Sequence, residues 1–320
     1  MPATLSVVFM GTPDFSVPTL EALIGHPKFR VDAVVTQPDR PKGRGKKLTP
    51  SPVKQIAIGH GIPVLQPEKT REPENVARLS EIKPDYIVVV AYGQILPLSI
   101  LQIPRLLPVN LHASLLPRWR GAAPIHRAFL AGDTVTGVCV MIMAEGLDTG
   151  DVLSRRKTEI TEEDTAGRLH DRLARTGAVL MAETLVEYAG GGIVPERQDG
   201  SLATYAAKLG HADFIIDWTG PAESVSRKIR GLSPFPGAMT SLGGKIIKPL
   251  FAKVAAREGT LGEPGAALGV SGDGISVACG AGSVVITELK PEGKPAMAAH
   301  AFTLGHKVCV GDKFSRPDGL

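Results

Sequence analysis

The sequence has few cysteines and no long hydrophobic run. Its three cysteines, Cys139, Cys279 and Cys309, lie far apart and show no CxxC spacing. They cannot form a disulfide framework or a cysteine-rich zinc site, and buried thiols in a reducing cytoplasm are the simplest interpretation. The longest apolar runs, Tyr86–Tyr92 and Val138–Ala144, have seven residues each, whereas a membrane helix needs about 20. The sequence therefore predicts a cytoplasmic protein without a membrane-spanning segment.

A strong charge bias is also missing, since 36 Lys and Arg residues face 32 Asp and Glu residues. No basic side chain precedes Lys28, which predicts neither a secretory signal nor an arginine-rich transit peptide. By contrast, 36 glycines and 26 prolines among 320 residues predict a turn-rich chain with many short elements. A chain of this length usually forms two domains.

Several catalytic motifs are absent. The turn Gly11–Phe15, which follows the first apolar run, lacks the G-x-G-x-x-G of dinucleotide-binding folds, and Pro13 removes an amide that could hold phosphate. The segment Gly43–Lys47 fails as a P-loop, because Arg40 and Lys47 stand where Gly and Ser or Thr belong. G-x-S-x-G and H-E-x-x-H do not occur either. Dinucleotide, ATP, serine-hydrolase and zinc chemistry are therefore poorly supported.

The first half of the chain alternates short apolar runs with helical patterns. The runs are rich in Val and Ile and suit strands that are buried on both faces. Such an alternation predicts an α/β fold with a doubly wound parallel sheet. The predicted strands are Leu5–Met10, Val31–Thr36, Ile62–Leu65, Tyr86–Val90 and Pro108–Leu111, and the predicted helices are Val17–Ile24, Val53–Gly59 and Asn75–Ile82.

The pattern then changes. Two strands with no helix between them, Val135–Met143 and Gly150–Ile160, are expected to pair antiparallel at one sheet edge. A helix over Thr165–Tyr188 has leucines on one face and ends at three consecutive glycines, whereas residues 193–217 show no regular pattern.

The C-terminal part reads as short strands with glycine-rich turns. A short helix over Pro221–Arg230 precedes them, and another helix is predicted near Ala296–Thr303. Five short strands in this arrangement predict a small barrel or sandwich, with the domain boundary near residue 207. The predicted strands are Thr240–Ser241, Lys245–Val254, Gly265–Val270, Gly274–Ala278 and Ser283–Leu289.

Positive charge is concentrated in one segment, residues 39–54. It contains six basic side chains and one acidic side chain, Asp39, for a net charge of +5, although the whole chain carries only +4. Its prolines and glycines predict a long non-helical loop, and such a loop inside a βαβ unit is unusual unless it is functional or disordered. Clustered cations suit contact with a phosphate backbone, and a solvated charged loop is the alternative.

The strongest chemical signal is the segment Asn110–Pro117. Asn110 and His112 lie two residues apart on a predicted strand, so they share a face at the carboxyl end, where open α/β sheets bind ligands. Asp148 lies in a turn bounded by Gly146 and Gly150. An amide can polarise a carbonyl group, an imidazole can move protons, and a carboxylate can orient that imidazole. The nearby cations Arg118, Arg120, His126 and Arg127 could meet an anionic substrate or simply be solvated.

With these segments the sequence resembles the methionyl-tRNA formyltransferase family, which belongs to the formyl-tetrahydrofolate-dependent formyltransferases. The resemblance extends over essentially the whole chain. Asn110, His112 and Asp148 are shared by all formyl-tetrahydrofolate transferases, whereas the basic segment and the C-terminal domain favour the tRNA enzyme. The matching segments are Phe9–Phe15, Thr36–Lys47, Ser51–Lys54, Ala91–Pro97, Asn110–Pro117, Arg120–Ile125, Gly146–Asp151, Ile216–Trp218, Ile229–Arg230 and Pro236–Ala238.

The resemblance implies a Rossmann-like catalytic domain over residues 1–190, a linker over 191–207, and a small C-terminal β-barrel similar to an OB fold over 208–320 that binds tRNA. The implied donor is 10-formyltetrahydrofolate, used as a co-substrate without a metal. The implied acceptor is the α-amino group of methionyl initiator tRNA, and the protein is expected to be a monomer.

The resemblance also implies site residues. The catalytic set is Asn110, His112 and Asp148. Arg44 is the implied principal tRNA contact within the basic segment. The implied folate pocket comprises Tyr92, Gly93, Gln94, Ile95, Ser114, Leu115, Leu116 and Pro117, and the implied tRNA contacts are Arg40, Lys42, Arg44, Lys46 and Lys47.

Three alternative functions stay open at this point. A formyltransferase that acts on a small amine would keep the same catalytic set but would have less need for the basic loop. A non-catalytic RNA-binding protein would not need Asn110, His112 and Asp148 to converge on one place. A nucleotide-dependent oxidoreductase is already weakened by the missing glycine fingerprint.

Overall fold

The chain divides into two units, and the second includes two short segments from the N-terminal part of the chain. The computed structural model describes residues 4–42, 45 and 47–317. The first unit comprises residues 1–124, 136–158 and 170–206, and the second comprises residues 125–135, 159–169 and 207–320.

Up to residue 206 the described elements alternate as the sequence predicts. In chain order they are β1 (Leu5–Gly11), α1 (Val17–Gly25), β2 (Phe29–Val35), β3 (Arg40–Lys42), β4 (Lys47–Thr49), α2 (Pro52–Gly59), β5 (Val64–Leu65), α3 (Pro73–Ile82), β6 (Tyr86–Val90), α4 (Leu98–Leu101), β7 (Leu107–His112), β8 (Arg120–Gly121), α5 (Pro124–Ala131), β9 (Val135–Ile142), β10 (Val152–Glu159), α6 (Ala166–Ala189) and β11 (Tyr205–Ala206).

The remaining elements are mostly strands. They are α7 (His211–Phe214), α8 (Ala222–Gly231), β12 (Thr240–Leu242), β13 (Lys245–Ala256), β14 (Ala267–Ser271), β15 (Gly274–Ala278), β16 (Ser283–Pro291), β17 (Met297–Ala298), α9 (Ala299–Gly305) and β18 (Phe314–Ser315).

The first unit is built on a seven-stranded sheet of order β10-β9-β7-β6-β1-β2-β5. β1 pairs in parallel with β2 and β6, β6 pairs in parallel with β7, and β9 runs antiparallel to β7. All five residues of β6 are buried, as expected for a central strand that is covered on both faces. The predicted doubly wound, Rossmann-like sheet is therefore confirmed, with β9 and β10 at one edge.

Local signals explain where helix α2 begins and how helix α6 packs. The Ser51 hydroxyl accepts a hydrogen bond from the Lys54 amide at 3.0 Å, and Pro52 occupies the first position of α2. Helix α6 contacts the sheet closely at Gly177, where an added Cβ would lie 2.5 Å from a Leu111 methyl group. The Tyr86 hydroxyl donates to the Leu185 carbonyl at 2.9 Å, which ties α6 to β6.

Two predicted elements differ from the structure. The strand predicted over residues 62–65 is limited to β5, because the Ile62 amide bonds to the Ala57 carbonyl at the end of α2 and Pro63 has no amide hydrogen. Within the predicted long loop, β3 and β4 pair antiparallel from Arg40 opposite Thr49 to Lys42 opposite Lys47. Backbone pairing thus orders residues 40–42 and 47–49 of the basic segment.

The second unit contains an antiparallel sheet of order β14-β15-β16-β13-β12-β18, with β17 on β16. Its two edges are joined by backbone hydrogen bonds from Phe314 to Gly265 at 2.7 Å and from Ala267 to Asp312 at 2.8 Å. The sheet therefore curls back on itself as a small barrel, as predicted.

Helix α8 completes the core of this barrel. Val225 and Ile229 of α8 are buried with Trp218 and Phe314, whose rings lie 5.8 Å apart. The Ser226 hydroxyl donates to the Ala252 carbonyl of β13 at 2.7 Å. The polar group on this apolar helix face is thus satisfied.

Among the residues that the structure describes, no helix combines the length and the apolar character needed to cross a membrane.

Candidate active site

The carboxyl end of β7 carries Asn110 and His112. In the sheet, Asn110 lies opposite Met141 and His112 lies opposite Cys139. The two residues are two positions apart, so their side chains lie on one face of the strand. Burial raises the pKa of the neighbouring Cys139 thiol to about 11, which keeps it protonated and unsuited to act as a nucleophile.

The His112 ring is held on both sides. Its Nε2 lies 2.9 Å from the Trp119 carbonyl oxygen, which can only accept, so Nε2 carries the proton. Its Nδ1 lies 3.6 Å from Asp148 Oδ2, and the side chains of His112 and Asp148 are only 7% and 16% exposed. The structure thus brings His112 and Asp148 close together, and Asp148 can hold the ring through Nδ1 once that nitrogen also carries a proton.

Asp148 is placed by a strained turn. Its φ angle is 51°, in the left-handed region, and its Oδ2 accepts a 2.8 Å hydrogen bond from the Gly121 amide. Gly150 is required in this turn, because an added Cβ would lie 1.8 Å from the Ile142 carbonyl oxygen. The glycine-bounded turn therefore aims the carboxylate at β7.

Asn110 is partly exposed beside this pair. Within residues 4–42, 45 and 47–317, its side-chain amide makes no hydrogen bond with another residue. An amide donor on the same strand face as His112 suits a carbonyl oxygen that gains negative charge.

The segment Ser114–Pro117 is packed against the sheet. Ser114 is fully buried, and its hydroxyl donates to the Arg118 carbonyl at 2.7 Å. Leu116 is buried with Cys139, Met141 and Val152. Leu115 contacts β9, since its methyl group lies 2.6 Å from a Cβ added at Gly137. Ser114 and Leu116 therefore shape this loop from the inside.

The turn Tyr92–Ile95 follows β6 and lies at the same edge of the sheet. The Tyr92 ring is 2% exposed and packs in the core, and its hydroxyl forms a hydrogen bond with the Thr70 hydroxyl. Gln94 accepts from the Thr70 amide at 2.8 Å. Gly93 and Ile95 are exposed, Ile95 to 92%, and with the turn backbone they form the accessible surface here.

The basic segment is partly neutralised by ion pairs. Lys54 Nζ lies 2.7 Å from Asp39, and Arg40 lies 3.5 Å from Glu68. Lys47 is exposed, and Lys42 contributes its backbone to β3. The predicted contacts Arg44 and Lys46 lie outside the described residues.

Two cations that flank the histidine segment are engaged by the protein itself. Arg120 is 6% exposed and donates to Gln198 at 2.8 and 3.1 Å. Arg127 donates to both Asp213 oxygens at 2.9 and 3.0 Å. Arg118 lies over the Trp119 ring, 4.4 Å from its centroid, and His126 Nε2 lies 3.5 Å from the Phe235 carbonyl oxygen. Arg120 and Arg127 thus have structural partners.

In the described part of the chain, no three His, Cys, Asp or Glu side chains are grouped so that they could hold a metal ion.

Comparison with known families identifies the family of this chain. The Formyl transferase family matches residues 5–185, and the family described as Formyl transferase, C-terminal domain, matches residues 208–307. The chain belongs to the formyl transferase family. Its candidate site, from Asn110 to Asp148, lies inside the first match.

Curated formyl transferases resemble the chain over nearly its full length. The methionyl-tRNA formyltransferase of Geotalea daltonii is 48% identical, and the alignment covers 98% of this chain and 99% of that protein. The methionyl-tRNA formyltransferase of Geobacter metallireducens is 51% identical over 97% and 98% of the two chains.

Solved structures share the formyl transferase fold at low identity. An N-formyltransferase from Helicobacter canadensis, in complex with folinic acid and dTDP-3-aminofucose, has a TM-score of 0.68 and 16% identity over 88% of this chain and 99% of its own. HypX from Aquifex aeolicus, in complex with tetrahydrofolic acid, has a TM-score of 0.65 and 16% identity over 94% of this chain. The chain covers 47% of HypX, about half its length.

Four site contacts come from residues that the sequence did not single out. The Trp119 carbonyl oxygen accepts from His112, and the Gly121 amide donates to the Asp148 carboxylate. The Gln198 side chain donates to the Asp148 carbonyl oxygen, and the Thr204 hydroxyl accepts from the Trp119 amide. Gln198 and Thr204 lie in the irregular stretch after α6. A polar side chain in such a stretch carries no periodic signal, so only the tertiary structure finds it.

Proposed function

We propose that this chain transfers the formyl group of 10-formyltetrahydrofolate to the α-amino group of methionyl initiator tRNA, for translation initiation in the cytoplasm. The observation that carries the proposal is the match to relatives of that name over nearly the full length of both proteins. One of them is 48% identical over 98% of this chain and 99% of its own. The pairing of His112 with Asp148, next to Asn110, supports the chemistry.

The donor would bind at the carboxyl end of the sheet. The residues present fit a flat folate ring: the accessible backbone of Gly93–Ile95 and the loop Leu115–Pro117 border the same sheet edge as His112. The bound donor supplies an activated formyl carbon next to a nitrogen leaving group. Tyr92, Ser114 and Leu116 would hold these loops in place from the core.

Asn110, His112 and Asp148 have different roles in the reaction. The α-amine forms a bond to the formyl carbon while the bond from that carbon to the folate nitrogen breaks. Asn110 donates a hydrogen bond to the formyl oxygen as negative charge develops there. His112 carries the proton from the amine to the folate nitrogen, and Asp148 orients the ring and stabilises its positive charge. In a second version of the same site, protonated His112 donates to the formyl oxygen directly.

The tRNA would be bound by the C-terminal domain and by the basic segment, residues 39–54. In this proposal residues 1–190 form the catalytic domain, residues 191–207 the linker, and residues 208–320 the tRNA-binding domain of a monomer. Arg40, Lys42, Arg44, Lys46 and Lys47 contact tRNA phosphates, because clustered cations suit a phosphate backbone.

Incubation of the protein with 10-formyltetrahydrofolate and charged initiator tRNA tests the proposal. We expect formylation of the methionine α-amine, detected by mass spectrometry after release from the tRNA. Parallel reactions with glycinamide ribonucleotide and an amino-sugar nucleotide serve as controls. Faster transfer to one of these small amines would instead support a formyltransferase for small substrates.

Variants of the site test the roles. Asn110→Ala is expected to lower kcat about 10²–10³-fold, because it removes the donor to the formyl oxygen. His112→Ala is expected to lower kcat about 10²–10⁴-fold, because proton transfer is lost. Asp148→Asn should also lower kcat, with its melting temperature as the control for folding. Near-normal turnover in any variant removes that residue from the mechanism.

A further inference from the structure

One side chain, Gln198, joins the Asp148 turn to strand β8. Its Nε2 donates to the Asp148 carbonyl at 2.9 Å and to the Gly150 carbonyl at 2.6 Å. Its Oε1 accepts from the buried guanidinium of Arg120 at 2.8 and 3.1 Å. All four hydrogen bonds that the amide side chain can make are thus formed, and they bridge two segments that both contact the site.

The same stretch of chain holds the opposite side of the site. The Thr204 hydroxyl accepts from the Trp119 amide at 2.9 Å, and the Thr204 carbonyl accepts from the Arg120 amide at 2.8 Å. Trp119 is the residue whose carbonyl oxygen holds His112 Nε2. Strand β11, which begins at Tyr205, continues this contact by pairing in parallel with β8.

The backbone conformations at the site need such support. Trp119 and Asp148 have φ angles of 62° and 51°, which are unfavourable for residues with a Cβ. Residues of this kind persist only where the surrounding structure fixes them. Gln198 contacts the Asp148 turn and Thr204 contacts Trp119, so each strained residue has its own anchor.

We infer that Gln198 and Thr204 are positioning residues of the formyl-transfer site. Gln198 fixes the place of the Asp148 carboxylate, and Thr204 fixes the Trp119 carbonyl oxygen that holds the His112 ring. The segment between α6 and the second unit is therefore part of the catalytic machinery rather than a passive connection. This inference rests on the function proposed above.

Substitutions at Gln198 test the first anchor. Gln198→Met removes every hydrogen bond at similar size, whereas Gln198→Glu keeps an oxygen for Arg120 but removes the donors to the turn. For both we expect kcat to fall about 10- to 100-fold, since small displacements of reacting groups are costly, with KM for the folate within about twofold of the wild type. Gln102→Ala, at an exposed glutamine on the same unit, should behave as the wild type.

A double variant separates positioning from general damage. If Gln198 acts through Asp148, then Gln198→Met should cost little further activity in an Asp148→Asn background, measured in single-turnover reactions. Losses that multiply fully in the double variant would overturn the role of Gln198, as would a Gln198→Met enzyme with wild-type kcat.

A matched pair tests the second anchor. Thr204→Ser keeps the hydroxyl acceptor and should retain kcat, whereas Thr204→Val has nearly the same shape without it and should lose about 10-fold or more. Equal kcat in the two variants would overturn the role of Thr204. Melting temperatures should differ little between them.

A readout without turnover keeps this inference separate from the proposed function. In protein with ¹⁵N-labelled histidine, the His112 ring resonances should shift in Gln198→Met and Thr204→Val but not in Gln102→Ala. Unshifted resonances would overturn the inference even in an active enzyme. Shifted resonances in a wild-type protein that formylates no amine would leave the anchors standing and remove only the proposed function.

Discussion

At the scale of single residues, backbone strain is concentrated near the candidate site. Ala91, Trp119 and Asp148 have φ angles of 46°, 62° and 51° and lie in turns beside the site, whereas Lys83, with a φ of 51°, ends α3. Side chains with a Cβ rarely adopt this conformation. The strain is consistent with loops that are shaped for a ligand at this edge rather than for stability alone.

Burial separates the three cysteines in their reactivity. It raises the pKa of the Cys139 and Cys279 thiols to about 11, whereas Cys309 is exposed. Because the thiolate is the reactive form, we expect one fast-reacting thiol in the folded protein at pH 8 and three after denaturation. Titration with a chromogenic disulfide reagent measures this.

Cys309→Ser is the control for the thiol titration. The folded variant should show no fast thiol, because the remaining two are buried and protonated. Rapid labelling of Cys139 would contradict its burial next to His112.

Asp39 makes the stability of the folded protein depend on pH. Hydrogen bonds from Lys54 and Gln66 hold the pKa of its carboxyl group below the ordinary value. A lowered pKa stabilises the folded state above the ordinary value of about 3.9, and this contribution is lost as the pH falls through the lowered pKa. Asp39→Asn should therefore lower the melting temperature at pH 7, with a smaller difference below pH ~4.

Glu81→Gln, at an exposed carboxylate of α3, is the matched control for Asp39. It should change the melting temperature little at either pH. An Asp39→Asn difference that stays constant from pH 7 to the acid range would show that the ion pair with Lys54 is not its source.

At the scale of elements, the paired strands β3 and β4 lie within the basic segment. Replacing Arg44, Lys46 and Lys47 with Ala should weaken the use of tRNA and flatten its dependence on salt. Each lost phosphate contact lowers the slope of log affinity against log salt by about 0.7–0.9, so a decrease of about 2 is expected. Binding of initiator tRNA across a salt series measures it.

A second triple variant controls for net charge. Arg71, Arg78 and Lys83 are exposed cations at or beside α3, and replacing them with Ala removes the same charge elsewhere. The salt slope should then stay close to the wild type. Equal slopes in both triple variants would support the interpretation of the basic segment as a solvated loop.

Elements with strong local signals were predicted well. β6 was predicted with its observed bounds, Tyr86–Val90, from the Val- and Ile-rich part of a longer apolar run. β5 was predicted too long, because hydrophobicity at Ile62 does not reveal that its amide bonds back to α2. The hairpin of β3 and β4 was missed, since no apolar alternation marks such short polar strands.

At the scale of the molecule, the two units share the chain. Arg230 in α8 is 7% exposed and donates to the carbonyl oxygens of Thr161 and Asp164, at 3.1 and 3.0 Å. Its guanidinium lies 5.3 Å from the centre of the Phe129 ring. All of these partners belong to segments 125–135 and 159–169 of the second unit, which precede residue 207.

A fragment that begins at residue 207 should therefore be unstable. It retains the barrel strands but lacks the partners of Arg230 and the Arg127 partner of Asp213. We expect a melting temperature at least about 5 °C below that of the intact protein, since 1 kcal/mol corresponds to about 4–8 °C in a small domain. Calorimetry of the two proteins measures it, and an equal melting temperature would contradict the sharing of segments.

The sequence alone determined the class of fold, the family and the position of the candidate chemistry. Buried strands, helix signals and the segments around Asn110, His112 and Asp148 are local features, and local features can be read from neighbouring residues. The sequence-based prediction of the family is confirmed by the matches over residues 5–185 and 208–307. The site residues and the domain roles stay predictions.

Only the tertiary structure decided which side chains support that chemistry. Gln198 lies 50 residues from Asp148, and Thr204 lies 85 residues from Trp119, yet each makes a hydrogen bond there. The burial of the Tyr92 ring and the ion pair of Lys54 with Asp39 likewise depend on residues that are brought together only by folding. Such contacts depend on how strands and loops pack in space, and spacing along the chain does not encode them.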